Sequence, residues 1–496
     1  MSGIAGIINL KESKKDRQKI NILLNKISHR GGRREVIDIA GGYVGINSNY
    51  SFETKIDKNI ILVDGKIYNL DYLISRYGIQ IDNSSVSDSE KICLLLDKVG
   101  KGIFRYFKGS FALVIFDKKG NIYLARDFIG RKPLYYYKDD ETLMFASEVK
   151  SLIEFTNDIK EFPPGSYMIN LLKPEIIKIV NVDNYTMIKD QDSEIQEDKL
   201  EDYLLKSMDM RINDNNLNLG VWLSGGLDSS LVAALLREFT DKVYTYSVGY
   251  DGSPDLEAAK EVSDYLGTEH TDYKFNAEEL FLNIPKAIYH LESFDAPLVR
   301  STLGNMIASK ISAASDIVFS GEGGDELFAG YDYFLEYDSS KVIQEELVNA
   351  INSLHNTALQ RVDRTANAYG VNVKLPMLDE NLLNYVLKIP PKNKVRTNTG
   401  KYILRKVASK YLPDDIAWRD KEKFWEGSGI EDTIEKKINT LITDKEFLDN
   451  RKSPDSPNLR NKEEAYYYKL FNDYYSDIDI NNILSFTQDF NYKLLF

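Results

Sequence analysis

Residues 219–230 read LGVWLSGGLDSS, and the octet Leu223-Ser224-Gly225-Gly226-Leu227-Asp228-Ser229-Ser230 inside that stretch decides how the rest of the chain is read. An apolar strand pattern, GVWLSG, runs into it, and an amphipathic helix pattern, SSLVAALLREF, runs out of it. Two adjacent glycines let the backbone turn tightly and bring several N–H groups toward one point. The hydroxyls of Ser224, Ser229 and Ser230 add donors, and a helix starting near Ser229 aims its positive end at the same place. Such a turn is a cradle for phosphate. No lysine closes the loop, which separates it from the GxxxxGK[ST] nucleotide loop and its phosphate-neutralising lysine.

Outward from the octet, the strand pattern VYTYSVG, the helix pattern LEAAKEVSDYL and the strand pattern DIVFSGEGG alternate as in a parallel sheet with helical crossovers. From about Tyr333 the pattern is mainly helical. Upstream, residues 1–180 hold short alternating runs (IAGIINL, GGYVGIN, NIILVDGKIYNL, GSFALVIFD, NIYLARD, PLYYYKD, TLMFASE) that two sheets with helices outside them would bury. Between these halves, residues 181–199 lose apolar content and gain charge, so they read as a linker between a domain at 1–180 and one at 200–496.

The chain has 496 residues, 63 Lys and Arg against 76 Asp and Glu, and 43% apolar residues, which describes folded protein of more than one domain. The net charge of −13 excludes a nucleic-acid partner, because no basic patch supplies the counterion-release term. Neither a leader pattern nor an apolar run of membrane length occurs, so a cytoplasmic, membrane-free protein is expected. Cys93 is the only cysteine and lies on a helix-like apolar face, where a buried core thiol is expected. The four histidines are scattered, without the close pairing of a His-ligated metal site.

A second acidic cluster, Ser320-Gly321-Glu322-Gly323-Gly324-Asp325-Glu326, follows the apolar strand IVF, so its carboxylates would emerge at the same sheet edge as the phosphate loop. Carboxylates beside a polyphosphate call for a divalent cation between them, with Mg²⁺ the expected ion and Asp228 and Asp325 the candidate ligands. A third stretch, WRDKEKFWEGSG at 418–429, offers a lysine that could stabilise charge on an α-phosphate or an acyl-adenylate. Chemistry alone does not choose between Lys421 and Lys423.

The octet resembles the SGGxDS pyrophosphate loop of ATP pyrophosphatases. More broadly the chain resembles the glutamine-hydrolysing asparagine synthetase family, through SGGLDSS, GSPDLEAAKEV, DAPLVRS, SGEGGDELFAGY, LQRVDR, KYILRKV, YLPDDIAWRDKEKFWEGSG and NKEEAYYYKLF. The N-terminal half resembles that family's glutaminase domain, through SGIAGI, HRGG, GKIYNL, GSFALVIFD, ARDFIGRKPLYY and FASEVKSL. The resemblance implies an N-terminal-nucleophile αββα sandwich followed by an ATP pyrophosphatase-type α/β synthetase domain with a helical C-terminal region. It also implies adenylation of a carboxylate by MgATP, attack by ammonia or an amine, and release of AMP and pyrophosphate. On that mapping Ser224–Ser230 hold pyrophosphate, Leu223, Val248 and Gly321 flank adenosine, Glu322 is the base for the incoming nitrogen, and Lys421 stabilises the transition state. Family members are often homodimers, which makes a homodimer the implied assembly.

Several positions depart from the family. Its glutaminase uses a cysteine directly after the initiator methionine, and here that residue is Ser2. The arginine block for the glutamine carboxylate is replaced by GGYVGINSN at 41–49, and the Asn-Gly-Glu triplet of the pocket reads Asp64-Gly65-Lys66. Asp88 remains where the α-amine ligand would stand. These changes lead us to expect an inactive glutaminase relic. On the acyl side the GxEARxPFLD block reads GVNVKLPMLD, so glutamate has become Asn372 and arginine Lys374. Lysine gives up the bidentate fork that reads a carboxylate, which makes aspartate a doubtful substrate. The readings left open are a synthetase using free ammonia or an amine, an intramolecular ligase closing a lactam or peptide ring, and a non-catalytic scaffold.

Overall fold

The computed structural model describes residues 1–9, 16–49, 54–81, 86–169, 175–178, 197–212, 217–420, 430–451, 457–476 and 478–487. Lys421, Lys423 and positions 181–196 of the expected linker lie outside them. The chain divides into two compact units. The first comprises Met1–Asn181 with Leu354–Asp363 and Asp477–Leu484, and the second comprises Val182–Ser353, Arg364–Ser476 and Ser485–Phe496.

In the first unit, two antiparallel six-stranded sheets lie face to face. One runs in the order Lys160–Glu161, Tyr135–Lys138, Thr142–Ala146, Ser2–Asn9, Gly42–Ser48, Arg33–Ile39. The other runs Glu175–Lys178, Ser166–Ile169, Ile122–Arg126, Gly109–Phe116, Asn59–Ile67, Lys55–Ile56. The period-2 alternation of the strands sorts their side chains between layers. Ala112, Val114 and Phe116 join Ile4, Ile8 and Val44 between the sheets, while Phe111, Leu113 and Ile115 face the helices Leu70–Arg76 and Asp88–Val99. Ala5 and Met144 face the helices Arg17–Lys26 and Val149–Leu152 on the other side. This is the expected αββα sandwich. Cys93 is buried on the inner face of Asp88–Val99, and burial pushes its thiol up to about 12, consistent with a core residue.

The second unit is built on a five-stranded sheet in the order Glu269–Lys274, Val243–Gly249, Leu219–Trp222, Ile317–Phe319, Val373–Lys374, with every neighbouring pair parallel. Numbered within the unit, that order is 3-2-1-4-5, so the topology reverses between Leu219–Trp222 and Ile317–Phe319. Ligands of open parallel sheets bind at the carboxyl ends of strands at such a switch point. The phosphate loop and the acidic cluster leave from those two strands. Two strands escaped the sequence reading: Glu269–Lys274, because EHTDYK is a charged, largely exposed edge without an apolar alternation, and Val373–Lys374, because two residues carry no periodicity. Most of the described residues beyond it are helical.

Candidate functional site

The phosphate loop is held by its own hydroxyls. Leu223 N–H donates to the Tyr246 carbonyl at 2.8 Å and closes the strand end, after which the chain turns at Gly225 with φ +77°. A Cβ on Gly225 would lie 2.6 Å from the Ala259 amide nitrogen, so only glycine lets the loop approach the helix Pro254–Leu266. Ser224 N–H donates to Ser229 Oγ at 3.2 Å, the two hydroxyls are 3.1 Å apart, and Ser229 Oγ donates to the Gly226 carbonyl at 3.1 Å. Gly226 caps the helix Leu227–Arg237, whose first turn carries Asp228. Ser230 is fully buried, and its Oγ has no hydrogen-bond partner among the described residues. Val248 is buried near the end of the adjacent strand.

The acidic cluster packs directly on this helix start. A Cβ on Gly321 would lie 2.8 Å from the Ser229 amide, and one on Gly324 would lie 2.4 Å from an Asp228 carboxylate oxygen. Asp228 and Asp325 converge on Lys401, whose Nζ pairs with Asp228 and lies 2.7 Å from Asp325. Burial pulls the Lys401 pKa down, but the two carboxylates override it and hold the ammonium protonated above the ordinary lysine range. Sequence reasoning quoted KYILRKV without giving this lysine a role. It stands 173 residues from Asp228, and its one local sign is structural, a non-glycine residue at φ +57°.

Glu322 is half-buried, its N–H 3.4 Å from Ser320 Oγ. Its neighbour Glu326 is buried, accepts a hydrogen bond from the Tyr331 hydroxyl at 2.6 Å, and is pushed up to about 7 by burial and then by Asp325. Asn372 immediately precedes the neighbouring edge strand Val373–Lys374 and Lys374 ends it, and their carbonyls accept from Val318 N–H and Ser320 N–H, each at 3.0 Å. The sheet therefore places these two residues in register with the strand that feeds the acidic cluster. Arg419, also missed, pairs with Glu261 and donates to the Gly225 carbonyl at 3.3 Å. Arg405 donates to the carbonyls of Ala417 and Arg419, each at 2.9 Å, and so fixes the chain just before the undescribed segment that holds Lys421.

Among the described residues, no group of three or more His, Cys, Asp or Glu side chains gathers as a metal cluster. Two carboxylates meeting on one cation, beside a phosphate loop, are nevertheless a donor set that fits Mg²⁺. That ion binds through one or two carboxylates together with substrate phosphates and water.

In the first unit, Ser2 and Asp64 come from facing sheets. Ser2 Oγ donates to Asp64 Oδ1 at 3.1 Å and accepts from Gly65 N–H at 3.2 Å. Asp64 is fully buried and also accepts from Arg30 Nη2 at 2.8 Å and Ser147 Oγ at 3.1 Å. Arg30, likewise fully buried, donates to Glu148 at 2.7 Å and to the Ser2 carbonyl at 2.9 Å. Lys66 is half-buried on the strand beyond Gly65. Asp88 opens its helix 3.9 Å from Lys91, and among the described residues no hydrogen bond or ion pair joins it to Ser2 or Asp64.

Comparison with known proteins agrees with this geometry. Residues 199–342 and 336–471 match the family model for asparagine synthase, and residues 1–183 match that for a glutamine amidotransferase domain. The chain is 31% identical to asparagine synthetase B (glutamine-hydrolysing) of Escherichia coli strain K12 over 95% of its own length and 90% of that protein. It is also 31% identical to a probable asparagine synthetase of Dictyostelium discoideum, over 95% and 93% of the two chains. The figures for the asparagine synthetase of Gallus gallus are 32%, 83% and 81%.

The chain belongs to the asparagine synthase family. It is therefore a carbon–nitrogen ligase, and its second unit is an ATP-dependent amide synthetase that works through an adenylate. No helix among the described residues is long and apolar enough to cross a membrane.

Proposed function

We propose that this asparagine synthase family member adenylates a small-molecule carboxylate other than aspartate and transfers ammonia or an amine to it, without hydrolysing glutamine. One observation carries the second half of that reading. Asp64 stands where the family has an amide that donates to the developing oxyanion, and its carboxylate accepts the Ser2 hydroxyl proton. Electrostatic catalysis of acyl transfer needs donors at the oxyanion position, and a carboxylate pinned there by Arg30 supplies negative charge instead.

In the second unit the chain's own groups divide the work. Backbone amides and hydroxyls of Ser224–Ser230 receive the pyrophosphate portion of ATP, Leu223, Val248 and Gly321 border the adenosine, and Lys401 adds a fixed positive charge. Asp228 and Asp325 hold Mg²⁺, which neutralises phosphate charge when bound. Glu322 takes the proton from the attacking nitrogen, and Lys421 stabilises charge on the adenylate. Asn372 and Lys374 read the acid. Their loss of the Glu/Arg pair argues for a substrate whose carboxylate needs no bidentate fork.

The test is release of AMP and pyrophosphate from MgATP with a panel of amino and carboxylic acids, aspartate included. Each acid is offered with ammonium, with glutamine or with neither. Product with ammonium and none with glutamine is expected. Turnover without added nitrogen would replace this reading with a ring-closing ligase. No turnover under any condition, with Lys421→Ala indistinguishable from the parent, would leave a non-catalytic scaffold.

A further inference from the structure

The relic pocket in the first unit grips a segment from the far half of the chain. Leu354–Asp363 belongs to that unit, and side-chain contacts hold it at both ends, a buried ion-pair cluster at Asp363 and a half-buried contact between His355 and Glu161. At its end, Asp363 takes Arg30 through two bonds, 2.8 Å from Nη1 and 3.3 Å from Nη2, and Lys132 Nζ at 2.8 Å. At its start, His355 Nδ1 lies 2.8 Å from Glu161, which Arg126 holds at 2.6 Å. The turn at Gly130 (φ +70°) is what admits that second grip, since a Cβ there would lie 2.9 Å from both the Arg126 guanidinium and His355.

Asp64 ties the first grip to the lost glutaminase chemistry. The carboxylates of Asp64, Glu148 and Asp363 stand against Arg30, Lys132 and Lys150, which pairs with Glu148. An asparagine at position 64 would leave Arg30 one carboxylate short in a fully buried setting, so the substitution that opposes an oxyanion also completes the charge pairing.

Asp363 lies in the middle of the helix Ala358–Tyr369, and that helix ends in a rigid cap. Gly370 is left-handed at φ +79°, its N–H is directed to the Asn367 carbonyl at 3.3 Å, and Val371 N–H donates to Ala366 at 2.9 Å, the paired bonds of a Schellman motif. The edge strand Val373–Lys374 follows at once, with the acyl-pocket candidates Asn372 and Lys374. A rotation or shift of the helix is thus passed along the chain to those residues instead of being absorbed in a loop.

We infer that Asp363 is a positioning residue for amide synthesis, and that the relic's ion-pair cluster persists because it sets the helix from which the acyl-pocket strand departs. The kinetic form of this inference rests on the amide-synthetase reading above; its structural form does not.

Hydrogen–deuterium exchange on the full-length protein tests the structural form with Asp363→Asn. A second variant, Lys132→Met, removes one cation from Asp363 and leaves Arg30 in place, so it serves where the first fails to fold. Peptides covering 364–374 are expected to exchange at least tenfold faster in either variant, while those covering 219–237 keep the parental rate and MgATP affinity changes less than twofold. With ammonium chloride and the acid that releases AMP, KM for the acid should rise tenfold or more at constant KM for MgATP. Asp363→Glu, which keeps the charge, should recover most of that loss. Unchanged exchange over 364–374 overturns the inference, and so does a uniform rise that includes 219–237, which is what a merely destabilised fold gives. If no acid turns over in the parent, the amide-synthetase reading fails while the exchange measurement still decides this one.

Discussion

The phosphate loop and the Ser2 cluster derive from two catalytic stations of one family, and their polar groups have been put to opposite uses. Around the loop, Gly225, Gly321 and Gly324 sit where a Cβ would collide with neighbouring backbone or with Asp228, so backbone amides and carboxylates are kept close at a strand switch point. Around Ser2, side chains satisfy one another. Asp64 alone accepts from Ser2, Ser147 and Arg30. A few substitutions suffice to change the chemistry at a site such as Ser2, but a cluster of buried charges is hard to dismantle, because removing any one member strands its partners away from water. On the reading proposed above, that asymmetry accounts for a first unit whose fold and charge pairing are intact while its glutaminase positions have changed.

The sharpest way to break the comparison is to remove Arg30. Arg30→Met leaves Asp64, Glu148 and Asp363 without their shared cation, and a loss of about 3–5 kcal/mol is expected in urea denaturation. A loss below about 1 kcal/mol would show the cluster to be solvated and dispensable. Next in size is Asp228→Asn, which weakens both the Lys401 pair and the proposed Mg²⁺ site. AMP formation should fall roughly 10²–10³-fold in initial-rate assays, as befits the several kcal/mol that a bound metal contributes to charge stabilisation. Under the same conditions Ser2→Ala should stay within about twofold of the parent with ammonium as donor. Equal losses in the two variants would erase the distinction between a working site and a relic.

Much of this was legible because it is local. The strand, Gly-Gly turn and helix start of the phosphate loop occupy twelve consecutive residues, and the acidic cluster repeats the same grammar after Ile317–Phe319. Lys401 was not legible, since nothing near it in sequence announces that two carboxylates converge on it from Asp228 and Asp325. Asp64 could be read as a loss, an amide replaced by a carboxylate. What it gained could not, because its partner Arg30 reaches on to Asp363, 333 residues away. The strand Val373–Lys374 is too short for periodicity to mark, although Lys374 within it and Asn372 just before it were singled out by their departure from a family block.

Acid should test the grip at the start of the 354–363 segment. Burial raises the Glu161 pKa, but His355 and Arg126 outweigh it and hold the carboxyl down at about 2, against an ordinary 4.5. A depressed carboxyl pKa adds stability that is present above pH 4.5 and lost as pH falls toward 2, here about 3 kcal/mol. The urea midpoints of the parent and Glu161→Gln should therefore differ at pH 5 and converge near pH 2.5.

The smallest expected effect has the opposite sign and isolates the principle behind the other three. Lys394 is as buried as Arg30, yet its Nζ meets no hydrogen-bond partner among the described residues, and burial alone lowers its pKa to about 7 from 10.5. Between those values the unfolded chain binds a proton that the folded chain does not, so stability rises with pH from about 7 to 10.5, and below 7 the desolvation cost is carried in full. Lys394→Met keeps the volume and removes that cost. It should stabilise the protein by about 1–2 kcal/mol at pH 7 and flatten the alkaline rise in a pH series of denaturation midpoints. Two buried cations of one chain would then respond oppositely to the same replacement, because carboxylates surround one of them and no hydrogen-bond partner among the described residues meets the other.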